Sequence, residues 1–183
     1  QGPAFHTSKW RHDVDLIGKR VAVIGTGCSA AQVVPAIQPQ ADAVDVYQRS
    51  PGWTLPRMDY EYSDRAKRMF RRYPSLQRFD RRLVQAIMEI GAIAMTRRQW
   101  MLGPFKAIGR RRIRKAIQDP QLRTAVTPTD EFGCKRVMVS DDWYPALAKP
   151  NVRLIAGGVE RITSQGVVGG DGIERPADVL ILA

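Results

Sequence analysis

Apolar positions along this 183-residue chain follow three different rhythms. The first is the short, continuous run of a buried strand. Lys19–Gly25 ends such a run, Val21-Ala22-Val23-Ile24, in a glycine turn. Helical spacing follows at Ala31, Val34 and Ile37, which predicts a helix over Ser29–Gln38 closed near Pro39. Pro35 lies within it and should distort it or mark a bend. Ala43–Gln48 predicts a second strand, and Ser50-Pro51-Gly52 breaks the pattern. The second rhythm is a series of amphipathic stripes. Ala66, Met69, Phe70 and Tyr73 recur at i, i+3, i+4, i+7, with Ser63 as the N-cap and Pro74 as the stop. Leu76, Phe79, Leu83, Ile87, Ile90 and Ala94 form a second stripe; Phe105, Ile108, Ile113, Ala116 and Ile117 form a looser third. The third rhythm returns to strands. Arg136–Val139 is short, and Val152–Ala156 is clearer. Val159–Thr163, Gly166–Val168 and Gly172–Glu174 read as a small antiparallel excursion. Val179–Leu182 is continuously apolar, as a buried parallel strand is.

These elements predict an α/β fold, Rossmann-like, with a parallel sheet, a small antiparallel excursion and a helical insertion. Residues 1–18 read as an irregular interdomain linker. Residues 19–56 and 119–183 form the dinucleotide-binding body, and 57–118 form the insertion. No stretch is apolar enough to span a membrane, and no signal-peptide pattern opens the chain. Two cysteines, Cys28 and Cys134, give no disulfide framework, so the expected compartment is the cytoplasm. No metal site is assigned. The chain opens on Gln1 and stops inside an apolar run, so it reads as a piece of a longer protein.

Charge divides the chain as sharply as hydropathy does. The net charge is +11 overall. Residues 57–115 hold 17 Lys/Arg against 5 Asp/Glu, while the remaining positions hold 12 against 13. A near-neutral body therefore carries a strongly basic insertion. Most of its arginines fall between the apolar stripes, as on a solvated helix face. Docking onto an acidic surface or an anionic membrane is the functional alternative. Few aromatics interleave the basic residues and no nucleic-acid module is recognisable, so nucleic acid is not an expected partner.

The candidate chemistry begins at Gly25-Thr26-Gly27-Cys28-Ser29-Ala30, a Gly-x-Gly-x-x-Ala turn between strand and helix. That layout cradles the pyrophosphate of a dinucleotide at a helix N-terminus. Gly25 allows the tight turn, and Gly27 lets the backbone approach the phosphates. Ala30 permits close packing of helix on strand, and Cys28 reads as a small residue of the turn. An ordinary glycine turn is the plain structural alternative. Gln32 completes the candidate contacts of this segment, together with Thr26 and Ser29. The end of the second strand selects the cofactor. Asp45 has about the spacing of an acid that binds the ribose of NAD, but Val46 and Tyr47 continue the strand beyond it. Arg49 and Ser50 stand at the strand end, where a guanidinium forks onto a phosphate and a hydroxyl adds to it, so NADP is expected.

Several motifs, taken in order, resemble the Baeyer–Villiger monooxygenases among the class B flavin monooxygenases. Gly2, His6 and Trp10 match the fingerprint F-x-G-x-x-x-H-x-x-x-W, whose Phe falls before Gln1. Arg11 follows where the pattern has Pro or Asp. The resemblance continues through Val23–Gly27, Gln48–Pro51, Gly133-Cys134-Lys135-Arg136 and Trp143–Leu147. It implies an NADP domain whose partner is an FAD domain, absent from this chain. It implies that NADPH reduces FAD and that reduced flavin takes up O2. A peroxyflavin then attacks a small-molecule ketone to give an ester or lactone. By the same resemblance, Arg49 and Lys135 hold the 2′-phosphate, and Arg136 is the active-site arginine beside the flavin. Read without the resemblance, Lys135 and Arg136 are adjacent cations suited to an anion, or plain surface charge. A flavoprotein reductase, an N-hydroxylating or S-oxidising flavin monooxygenase, and a non-catalytic basic module are the alternatives. No C-x-x-C or C-x-x-x-x-C pair supports a disulfide reductase.

Overall fold

The computed structural model describes residues 2–57 and 59–183. In chain order the regular elements are β1 (Ala4–His6), β2 (Arg20–Ile24), α1 (Ala30–Ile37), β3 (Ala43–Gln48) and β4 (Thr54–Leu55). The insertion follows as α2 (Asp64–Arg72), α3 (Pro74–Arg97) and α4 (Gly103–Ala116). The body resumes with α5 (Pro120–Val126), β5 (Met138–Val139), α6 (Trp143–Leu147) and β6 (Val152–Ala156). The chain closes with β7 (Val159–Ile162), β8 (Gly166–Gly169), β9 (Glu174–Pro176) and β10 (Val179–Leu182).

Five strands form one parallel sheet in the order β1-β10-β2-β3-β6. Strands β2 and β3 are joined through α1 as a βαβ unit, and β10 returns on the other flank of β2. The sheet order therefore reverses at β2, and the crevice of an α/β sheet opens outside the carboxyl ends of its strands at that point. Arg20 clamps the opposite end of this pair. Its backbone N–H and its guanidinium both donate to Asp178, the latter at 2.7 Å. That pairing draws the Asp178 carboxyl down to about 2.

Alternation along the strands buries both sheet faces. Val21, Val23, Val44, Val46 and Ile181 meet α1, α6 and the ends of α4 and α5. Each such apolar side chain contributes about 1.5–3 kcal/mol on burial. Ala22, Tyr47 and Ile155 point to the other face, where Val167 and the antiparallel β7-β8-β9 sheet cover them.

The structure moves several expected boundaries. Residues 1–18 are not wholly irregular, because Ala4–His6 forms the edge strand beside β10. Phe5 is the only inward residue of that three-residue strand, too short for periodicity to reveal. Pro74 does more than end α2; it occupies the first turn of α3, where its missing N–H costs nothing. The strand near Arg136–Val139 shrinks to Met138–Val139, and the last excursion strand shifts to Glu174–Pro176. Helices α5 and α6 carry too few turns for their stripes to be read.

The insertion does not end cleanly at residue 118. Ile113 and Ile117 lie in the main core beside Trp143 and Val126. Ala94 and Leu102 pack with Trp53 and Phe132 in a second cluster. A Cβ on Gly109 would lie 3.1 Å from the Trp53 ring, so α4 approaches the body closely there. The second stripe behaves differently: Phe79, Leu83, Ile87 and Ile90 all remain exposed.

Pro35 is accommodated inside α1 by a distant partner. Its ring removes the hydrogen bond to the carbonyl of Ala31. The buried hydroxyl of Ser140 donates to that carbonyl at 3.4 Å and accepts the Trp143 N–H at 3.2 Å. Ser140→Ala leaves both groups without this partner. Denaturant unfolding should show a loss of about 1–3 kcal/mol; an unchanged midpoint would mean that neither bond matters.

Candidate functional site: a cleft at the sheet switch point

A cleft of about 810 Å³ opens above the carboxyl ends of β2, β3 and β10. Its floor is the turn Gly25-Thr26-Gly27-Cys28-Ser29. One side is formed by Arg49 and Ser50 after β3, another by Lys135 and Arg136 before β5, and a third by Gly157 and Gly158 after β6.

The two turn glycines are glycines for different reasons. Gly25 has φ +112°, and a Cβ there would lie 2.1 Å from the Ala183 carbonyl oxygen. Its requirement comes from the turn and from the neighbouring strand. Gly27 is exposed, and a Cβ there would meet nothing within 4 Å. The protein itself leaves that space open, directly over the start of α1. Ser29 makes no side-chain cap to that helix. The amides of Gly27, Cys28 and Ser29 donate to no acceptor among the described residues. Unpaired amides, an uncapped helix start and an open space above them suit an anion.

The far edge of the cleft gathers positive charge. Lys135 donates to the Ser50 hydroxyl at 2.8 Å and pairs with Asp130. Arg49 and Arg136 are exposed and line the same cleft. The Asp130 loop is held by the Trp53 indole, which donates to the Asp130 carbonyl at 3.0 Å.

Of the sequence candidates, Gly25, Thr26, Gly27, Cys28, Ser29, Arg49, Ser50, Lys135 and Arg136 line the cleft together. Two do not. Ala30 is fully buried beneath the turn, where its small size lets α1 sit on the sheet. Gln32 lies on the outer side of α1, in a separate groove with Pro145 and Lys149. Asp45 is also elsewhere. It is buried mid-strand and bound bidentately by Arg153 at 2.7 and 2.8 Å. Cys28 and Cys134 are both free thiols.

Four contributors were missed by sequence reasoning. Gly157 and Gly158 have φ of +90° and +77°. Gly158 passes 3.7 Å (from its would-be Cβ) beside Arg49 and donates to the Gln48 carbonyl at 2.9 Å. A Gly-Gly pair directly after a parallel strand was the available signal. Tyr47 lines the cleft from β3; its hydroxyl donates to Val167, and burial pushes it up to about 12. Asp130 carried no signal, since its role depends on where Lys135 folds.

No protein-family model matches the chain. Curated relatives do. A Baeyer–Villiger monooxygenase of Pseudomonas aeruginosa is 44% identical over 181 residues, 99% of this chain. A Baeyer–Villiger monooxygenase of Streptomyces coelicolor is 42% identical over 180 residues. The chain is homologous to part of the Baeyer–Villiger monooxygenases. It spans about a third of the length of these relatives, 34% and 35%. Solved structures of monooxygenases share the fold over the whole chain. A steroid monooxygenase bound to NADP superposes with a TM-score of 0.77 at 26% identity, with 42% of its chain covered. A polycyclic ketone monooxygenase from Thermothelomyces thermophila reaches 0.84 at 25% identity, with 37% covered.

Substitution separates the two glycines by stability alone. Gly25→Ala forces a positive φ on a side chain and drives Cβ into a backbone carbonyl. It should lower stability by at least about 1–3 kcal/mol. Gly27→Ala should be neutral, or gain up to about 1 kcal/mol through the unfolded chain. Paired thermal melts of the two variants check this; equal losses would place Gly27 in the folding framework.

Proposed function

We propose that this chain binds NADP(H) in the cleft above Gly25–Ser29, as the NADP domain of a flavin-dependent monooxygenase of Baeyer–Villiger type. The observation that carries the reading is the cleft's polarity. Unpaired amides and open space lie at one end, and Arg49, Ser50 and Lys135 converge at the other. A pyrophosphate fits the first end, and a ribose 2′-phosphate fits the second. The relatives named Baeyer–Villiger monooxygenase, and a solved relative bound to NADP, support the same assignment.

Each residue then has a task. Gly27 leaves room for the pyrophosphate, and the N-terminus of α1 offers its amides and dipole. Arg49 and Ser50 hold the 2′-phosphate from β3, and Lys135 holds it from the opposite loop. Arg136 would present its guanidinium toward the flavin of the partner domain and would stabilise negative charge there. Tyr47 stays protonated and apolar against the floor. Bound NADPH supplies hydride, and FAD on a partner domain supplies the oxygen chemistry with O2 and a small-molecule ketone. Free cysteines and a chain whose described helices include none fit to cross a membrane support a cytoplasmic setting.

Cofactor titration tests the binding half of this reading. NADP should bind more tightly than NAD. Arg49→Ala should weaken NADP by about 1.5–3 kcal/mol, the worth of a charge-assisted contact, and leave NAD nearly unchanged. Equal weakening of both would remove Arg49 from the 2′-phosphate. Gly27→Ala should weaken both cofactors while the fold stays intact.

The catalytic half needs the complete enzyme with its FAD domain. Lys135→Ala should raise KM for NADPH and relax the preference over NADH. Arg136→Ala should retain NADP binding and lose most ester formation. Full product formation by the latter variant would take Arg136 out of the mechanism.

A further inference from the structure

Helix α3 is 24 residues long, and Ala94 is its only buried side chain. A helix of that length extends about 36 Å. Its stripe of Phe79, Leu83, Ile87 and Ile90 is 66%, 50%, 49% and 54% exposed. Trp100, just beyond the helix, is 77% exposed. Large apolar side chains laid out in one stripe mark a docking surface.

The charges around the stripe identify the partner. Arg78, Arg81 and Arg82 fall on the opposite side of α3 at helical spacing, and Arg97 and Arg98 stand at its end beside Trp100. The preceding α2 adds Arg65, Lys67, Arg68, Arg71 and Arg72. The whole segment 57–115 carries a net +12, against −1 for the rest. None of the described helices is long and apolar enough to cross a bilayer. An apolar stripe with arginines on the opposite face of its helix, and an exposed tryptophan beyond its end, is the composition of a helix lying in a membrane interface. Arginine stems can lie along the acyl boundary while their heads reach lipid phosphates. Basic clusters of this size are drawn to the anionic cytoplasmic leaflet. A protein partner would have to be both apolar along the stripe and acidic around it; an anionic bilayer has both properties everywhere.

We infer that α3 and Trp100 form a docking surface for an anionic lipid membrane, with the cleft body held above the bilayer. The body is anchored for this by the opposite end of the insertion. There Ile113 and Ile117 enter the main core, while α3 turns only Ala94 inward and leaves its Phe79–Ile90 stripe exposed.

Sedimentation with lipid vesicles tests the inference on the full natural polypeptide. The probes are vesicles of equal phosphatidylglycerol and phosphatidylcholine, and vesicles of phosphatidylcholine alone. Binding is expected to the anionic vesicles only, and it should weaken as salt rises. Leu83→Glu with Ile87→Glu, at two exposed positions, should lower the apparent affinity at least about tenfold. Far-UV circular dichroism should be unchanged. Arg78→Glu with Arg82→Glu should abolish the preference for anionic lipid. The blue shift of tryptophan emission on adding vesicles should disappear in Trp100→Phe. Failure of the polypeptide to bind anionic vesicles would overturn the inference, since another segment would then cover the stripe. Undiminished binding by the Leu83/Ile87 variant would also overturn it. So would a self-association in solution that these same substitutions dissolve.

Discussion

The Ala183 carbonyl oxygen lies where a Cβ on residue 25 would sit. That close pass of the end of β10 against the end of β2 is the constraint on which the rest of the structure depends. It demands glycine, and glycine supplies the positive φ that turns the chain out of β2. The turn releases α1 to pack on one side of the sheet while β10 occupies the other flank. The sheet order reverses there, so the carboxyl ends of β2, β3 and β10 surround an opening instead of a packed loop. A side chain at residue 25 would displace the wall of the cleft as well as its floor.

Positive charge in this molecule has two organisations. At the cleft edge it is sparse and aimed. Lys135 is held between Asp130 and the Ser50 hydroxyl, and Arg49 lies against the backbone of Gly158. Lys135 therefore has fewer degrees of freedom to lose when an anion arrives. On α2 and α3 the charge is dense and solvated, on side chains that face outwards. The first pattern suits one small ligand, and the second suits an extended surface. The two regions are joined by a rigid seam in which Trp53 meets Phe132, Ala94 and Leu102. Trp53 also fixes the Asp130 loop. The insertion is thus continuous with the loop that carries Lys135 and Arg136, although 57–118 and 133–136 are separate in sequence.

Long-range pairs close the remaining gaps left by local structure. Pro35 breaks a helical bond, and Ser140, more than a hundred residues later, supplies the donor. Asp45 would be an unpaired charge inside β3 without Arg153 on β6. Its exposed partner and low accessibility make it a structural acid, which a ribose hydroxyl at the strand end could not reach.

The sequence by itself determined four of the five strands of the parallel sheet, the glycine turn and the order of the cleft residues. Short continuous apolar runs suit strands buried on both faces of a parallel sheet, and Gly-x-Gly-x-x-Ala between strand and helix suits a tight turn over a helix N-terminus. The motifs at Gly2–Trp10 and Gly133–Arg136 also carried the resemblance to the Baeyer–Villiger monooxygenases that the relatives bear out. Only the tertiary structure decided the contacts made across the chain. Ser50 and Lys135 are 85 residues apart. Gln32 sits next to the turn in sequence, yet it lines a different groove, with Pro145 and Lys149. Leu83 and Ile113 both belong to apolar stripes, yet Ile113 enters the core and Leu83 stays exposed. Periodicity reports that a helix has an apolar face; which face finds a partner depends on what the rest of the chain brings against it.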